Sequence, residues 1–383
     1  VLAISSLTVL ANATIAPSLP GLARAFADTP GIETLAGLVL SLPSLAIVLT
    51  AAAFGWAADR FDRRAVLVVA MLAYALGGAS GALAQTMPQI LAGRLLLGIG
   101  VAGALTVATQ LAADLWHGAD RARFMGWQGA AISATGIASV VGGGLLAELS
   151  WRAPFALYLM ALPITVAAWA VVPRAIPPAA PTEAGGSGGP PFPWAILVLT
   201  GGLMFLVMAF IFLAATRLPF LLEGIGVTSP GLIGLTLALM TVASFPTGLF
   251  YGRVRARLEP RVIAAFALAL MGAGFAIISQ FHALPPVMLG IVTTGLGLGL
   301  IIPNQNVWLM AHVPEAARGR ASGLMTMLLF GGQFASPILS GALLTAMDLH
   351  AVFATFAAAI LAVAAVLWLG AGTSLTRLAG EDR

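Results

Sequence analysis

The sequence predicts an all-α polytopic membrane protein, with twelve transmembrane helices arranged as two six-helix bundles. Three observations predict it: an extreme apolar composition, twelve apolar runs of helix length, and a lopsided placement of arginine. Hydrophobic residues fill 60% of the 383 positions and charged residues 8%, against about 45–50% and about 25% in ordinary soluble domains. A soluble core cannot absorb that much apolar surface. A chain in lipid must satisfy its backbone hydrogen bonds within itself, which helices do.

The apolar runs fall at 2–24, 35–58, 65–84, 88–113, 124–148 and 153–172, and again at 194–221, 230–252, 261–281, 286–311, 321–346 and 350–372. Each suffices to cross the hydrocarbon core, which takes about 20 residues of helix. The chain opens on apolar residues, so either its natural start lies upstream or the first span begins almost at once; no cleavable signal pattern stands ahead of it. Twelve crossings leave both termini on one side.

All 18 basic residues are arginine. With Ala-rich spans, this is the composition of a GC-rich bacterial genome, and the expected location is the bacterial inner membrane. Arg60, Arg63, Arg64, Arg121, Arg123, Arg174, Arg253, Arg255, Arg257, Arg261, Arg318, Arg320, Arg377 and Arg383 share one face, whereas the other holds Arg24, Arg152 and Arg217. Positive residues near span ends are retained in the cytoplasm, so the first face and both termini are expected there. The net charge of +4 reports these loops, and no nucleic-acid partner is expected. With no Cys, disulfides, thiolate metal sites and cysteine nucleophiles are excluded.

A Pro/Gly/Ser-rich stretch at 174–193 cannot form a helix and reads as a cytoplasmic linker between an N-terminal bundle, 1–173, and a C-terminal one, 194–383. The two are copies. A shift of 197 residues carries Gly37 onto Gly234, Arg60 onto Arg257, Gly77 onto Gly274, Gly98 onto Gly295, Gly100 onto Gly297, Arg121 onto Arg318 and Gly144 onto Gly341. Glycines mark close helix packing, so their coincidence at one offset implies duplicated geometry. Parallel repeats of this kind support rocking about a midplane site.

The loop Gly55-x-x-x-Asp59-Arg60-x-x-Arg63-Arg64 resembles the signature between the second and third helices of the major facilitator superfamily, Gly-x-x-x-Asp-Arg-x-Gly-Arg-Arg. Asp62 stands where that pattern has its second glycine, in a turn for which Asp is tolerated in left-handed geometry. The resemblance implies a conformational latch of Gly55, Asp59, Arg60, Arg63, Arg64, Asp114, Arg121 and Arg320. Asp59 would approach the start of the eleventh span, near Arg320 to Gly323, and hold the cytoplasmic side shut; a carboxylate at a helix N-terminus gains about 0.3–2 kcal/mol. The alternative is that these charges only anchor topology. Ala256 stands at the second copy's place for Asp59, so the latch is lopsided. Asp114 is expected to complete a relay with Arg60 or Arg64, or else to be a solvated helix end.

Arg94 resembles the arginine of the family's second motif, within the membrane, with Asn12 and Thr14 as its expected polar neighbours. An intramembrane cation is a functional hypothesis by default, although its stem is long enough to snorkel. The fifth span shows Thr135, Ser139-Val140 and Gly143-Gly144 where export-associated members have Gly-x-x-x-Gly-Pro-x-x-Gly-Gly. The missing proline has a counterpart in the second copy, Ser336-Pro337. Trp151-Arg152-Ala153-Pro154-Phe155 is similar to a Trp-Arg-x-x-Phe signature of bacterial exporters.

The tenth span carries Pro303-Asn304-Gln305-Asn306 and Trp308, a polar run that either lines the central cavity or bonds between helices. Gln110, Gln128 and Gln333 are further cavity candidates. Arg217 could attract an anionic substrate, pair with Glu223, or anchor at the interface. No carboxylate falls inside a span, so no proton carrier is evident. His117, His282, His312 and His350 lack metal-ligand spacing; neither an enzyme nor a cofactor is expected. The leading expectation is a monomeric secondary transporter in contact with lipid, exporting a small organic molecule with proton coupling. The rival is an importer or facilitator of an organic anion.

Overall fold

The computed structural model describes residues 1–172 and 192–381, with the side chains at 113, 119, 121, 122, 316 and 371–381 outside the description. The structure places twelve helices long and apolar enough to cross a membrane, and no strand, among the described residues. They are α1 (Leu2–Ala25), α2 (Ile32–Arg60), α3 (Arg63–Ala82), α4 (Met87–Leu115), α5 (Gly118–Leu149) and α6 (Ala153–Val171). The second set is α7 (Trp194–Gly224), α8 (Pro230–Arg255), α9 (Pro260–Gln280), α10 (Leu284–His312), α11 (Arg318–Leu344) and α12 (Leu349–Glu381). The twelve match the apolar runs one for one. Most of the expected linker lies outside the described residues, and Phe192 and Pro193 lead directly into α7.

Local chemistry accounts for the ends and breaks. α1 is interrupted by a 3-10 turn over Ala16–Ser18, where Pro17 and Pro20 lack the N–H that a continuous helix needs. Thr86 and Gln89 form a reciprocal capping box at the start of α4. Asp62 corrects one expectation. Its φ is −56°, not left-handed, and its carboxylate accepts from the Arg64 backbone N–H at 3.0 Å. The residue replacing the signature glycine is therefore the N-cap of α3.

The copies repeat their contacts at the shift seen in the sequence. In the first bundle, a Cβ on Gly98 would run into the Pro43 carbonyl and Ala46; in the second, one on Gly295 would run into the Met240 carbonyl and Ala243. These are the same positions shifted by the offset that carries Gly98 onto Gly295. Thus α4 sits on α2 as α10 sits on α8. Between bundles, α2 packs on α11 and α5 on α8, again as a related pair. A Cβ on Gly37 would lie 2.7 Å from Pro337 Cβ, and one on Gly234 would lie 2.7 Å from the Val140 carbonyl. Val140 and Pro337 are themselves equivalent positions of the two copies.

Candidate functional site

The four helices that join the bundles are tight over one part of their length and loose over the other. On α2 the buried residues run from Ala36 to Ile47, after which only Ala58 is buried before the helix ends at Arg60. On α8 they run from Gly231 to Ala243, followed by Tyr251. On α11, which runs the opposite way, burial is dense from Gly332 to Gly341. The seam between bundles is thus shut away from the arginine-rich face and parted beside it.

Polar groups fasten the shut end. Arg217 of α7 is 1% exposed and spends its guanidinium on three neutral oxygens: Ser340 Oγ at 2.9 Å, the Glu33 carbonyl at 3.0 Å and the Pro337 carbonyl at 3.3 Å. It thereby ties α7 and α11 to the start of α2. Glu223, an expected partner of Arg217, pairs instead with Arg24 of α1. Arg217 is also no interfacial anchor, since its head is enclosed. Ser229 donates to Glu148 across α8 and α5 at 2.7 Å. Deeper in the seam, Ser44 donates to Gln333 Oε1 at 2.7 Å.

At the parted end lies a cavity of about 680 Å³ between the bundles. Its walls come from α2 (Ile47, Val48, Ala51, Ala52, Gly55), α4 (Ala102, Leu105, Thr106, Thr109, Gln110) and α11 (Gly319, Ser322, Gly323, Thr326, Met327, Phe330). None is ionisable. A Cβ on Gly55, Gly319 or Gly323 would meet nothing within 4 Å. The apolar walls with a few hydroxyls and one amide suit a small amphipathic molecule.

The latch residues stay within their own bundles in this arrangement. Asp59 accepts from Gln110 Nε2 at 3.2 Å, and among the described residues it forms no ion pair with α11. Asp114 pairs with Arg63, not with Arg60 or Arg64 as expected. Those two arginines sit over Trp56 and Trp169, at 4.6 and 3.8 Å from the ring centres. Arg320 lies 4.9 Å from the Phe192 ring and 5.1 Å from that of Trp194. Such contacts are worth about 0.5–1 kcal/mol when exposed. The Arg121 side chain lies outside the described residues.

The cavity candidates divide. Gln110 lines the cavity, and Gln333 stands just beyond its closed end. Arg94 is enclosed at 1% exposure and does not snorkel; it lies over the Phe155 and Tyr158 rings at 4.7 and 5.0 Å. Its Nη2 has no hydrogen-bond partner, and neither does Asn12 Oδ1. Thr14 bonds to its own helix at Leu10, so neither expected neighbour holds the arginine. Gln128 bonds to Ser5 inside the first bundle at 2.7 Å.

The tenth-span run does not line the cavity. Asn304 is fully buried, donates to the Pro260 carbonyl at 2.9 Å and accepts from Tyr251 at 3.4 Å, joining α10 to α9 and α8. Gln305 is fully buried with both amide atoms unbonded. Asn306 is exposed and bonds back to Ile302, and Trp308 is buried. The helix continues through Pro303. The sequence reading missed Thr106, Thr109, Ser322 and Thr326 on the walls. Their signal was small polar residues at three- and four-residue spacing, a mark of close helix faces.

Comparison with known proteins agrees with the fold. The profile of the Major Facilitator Superfamily matches residues 1–228 and 200–379. The class C tetracycline resistance protein of Escherichia coli is 37% identical over 142 residues, 37% of this chain and 35% of that protein; the chain thus matches about a third of that relative's length. The bacillibactin exporter of Bacillus subtilis is 23% identical over 368 residues, 90% of each chain. Among solved structures, the inward open conformation of the xylose transporter XylE from E. coli superposes with a TM-score of 0.76 at 14% identity, covering 96% of this chain and 95% of that one.

Proposed function

The chain belongs to the Major Facilitator Superfamily, and from that premise we propose that it moves a small organic molecule across a bacterial cytoplasmic membrane by alternating access, as a proton-coupled exporter. One observation carries this reading: two copies of one unit meet along a seam that is shut at one end and holds an uncharged cavity at the other. With the arginine-rich face in the cytoplasm, this is the arrangement that loads from inside, with both termini and the linker on that side. Residues 1–173 and 194–383 are the rocking units of a monomer, and 174–193 is their tether. The latch closes in the other state, when Asp59 meets the start of α11. Likeness to tetracycline resistance proteins and to the bacillibactin exporter supports export of drug-like or metabolite compounds.

A second reading has its own support. Arg94 and Arg217 are enclosed cations, and no carboxylate lines the cavity; a facilitator or importer of an organic anion needs no proton carrier. Everted vesicles containing the protein, supplied with tetracycline or with a carboxylated analogue under an imposed pH gradient, separate the two. Gradient-driven accumulation of tetracycline is expected; flux indifferent to the gradient removes proton-coupled export.

A further inference from the structure

Beyond the closed end of the cavity, α2 and α11 pack together with four buried polar side chains on adjoining turns, of which Ser44 and Gln333 bond across the seam. Ser41 and Ser44 lie three residues apart on α2, and Gln333 and Ser336 lie three apart on α11, so each pair shares a helix face. Those faces meet: Gly37, one turn from Ser41, abuts Pro337, and Ser44 bonds to Gln333. The layer is incompletely bonded. Ser41 and Ser336 are 0% exposed and their hydroxyls have no partner. Gln333 Nε2 reaches the Met208 sulfur at 3.7 Å, a weak acceptor.

Unpartnered buried hydroxyls weaken a seam that alanine or glycine would close equally well. Their presence fits a place where the missing partner is a ligand. Charge is absent from the layer and from the cavity walls beneath it. Arg217, one turn further along, has its guanidinium committed to Ser340, Pro337 and Glu33. A cation in this layer would be desolvated with no counter-charge, and an anion would find only Arg217, whose donors are already engaged by neutral oxygens.

We propose that Ser41, Ser44, Gln333 and Ser336 form a head-group subsite for an uncharged substrate, gripping a hydroxyl, phenol or carboxamide. The apolar body of that substrate rests below against Ile47, Met327 and Phe330. The subsite draws on both bundles, so its occupant bridges the seam and bears directly on its opening. This rests on the reading of the cavity as a transport path.

Because the chain has no cysteine, single cysteines report without background. In the full chain in nanodiscs, Thr326→Cys on the cavity wall is expected to react with hydroxyethyl, trimethylammonioethyl and sulfonatoethyl methanethiosulfonates alike. Ser41→Cys and Ser336→Cys are expected to react with the neutral hydroxyethyl reagent at least about tenfold faster than with either charged one, as the cost of stripping water from a charge requires. Adding Gln333→Leu to Ser41→Cys is expected to bring the hydroxyethyl reagent down to the rate of its apolar propyl counterpart. Equal rates for charged reagents, a hydroxyethyl preference undiminished by Gln333→Leu, or silence at both serine positions while Thr326→Cys reacts would overturn the subsite alone. Silence at Thr326→Cys would overturn the transport path with it.

Discussion

The two ends of the seam are built from the same helices and behave oppositely. Toward one face, α2 and α11 are so close that Gly37 has no room for a methyl group beside Pro337; toward the arginine-rich face, Gly55 and Gly323 look onto open space. At the shut end polar side chains reach across to the other bundle, as Arg217 does to Glu33. At the parted end they turn back on their own, as Arg63 does to Asp114 and Arg64 to Trp169. Shutting therefore takes small residues plus bonds that cross; parting takes charges that find local partners.

The sharpest way to break this contrast is to fill the shut end. Gly37→Val should cost the closed seam about 1–3 kcal/mol through overpacking, a change of about 5-fold to 140-fold in the balance between the two states. Spin-label distances between the ends of α5 and α8 opposite the arginine-rich face should lengthen; unchanged distances would show that Gly37 is not where the seam seals. Arg217→Gln removes a three-oxygen grip whose bonds are each worth about 1.5–3 kcal/mol with a charged donor, partly regained by the amide. Labelling of a cysteine at Leu344, on the same end of α11 but outside the grip, should quicken severalfold, and Arg217→Lys should not restore the rate seen with Arg217 because the fork geometry is lost.

Asp59→Ala tests the parted end. It is expected to favour the arrangement seen here and to slow turnover, by about 0.3–2 kcal/mol, the gain of a carboxylate at a helix start. Probe access to the cavity from both faces matching the unsubstituted protein would remove Asp59 from the latch. The smallest effect is expected of Asp62→Ala, which deletes the cap of α3 and should lower thermal stability by about 1 kcal/mol without changing which face is open. Thermal unfolding in detergent measures it.

The fold was legible because lipid leaves few choices: helix length, arginine bias and the glycine offset each report it independently. The site was much less so. Asn304 drew attention as an amide in a span, but a buried amide can find a carbonyl on a neighbouring helix, and it found Pro260. Arg217 looked like a partner for Glu223, a short distance along the same helix, whereas the carboxylate was taken by Arg24 from the other bundle. Sequence spacing reports neighbours on one helix and is blind to pairings across a seam. The cavity walls were quiet for a related reason: alanine, glycine, threonine and serine look like packing residues until the helices carrying them separate.

Val140 and Pro337 occupy matching places in the two copies, and each presses on a glycine of the opposite bundle. The export-associated pattern that the fifth span resembles has its proline at the place of Val140, and this chain has one at the matching place of the other copy, Pro337. For a joint with internal twofold likeness, either side can host the stiff ring, so a signature tied to a single stretch of chain underreports the architecture it stands for. Exchanging the two residues should be gentler than removing the ring altogether, and family patterns are better read modulo the duplication than along the chain.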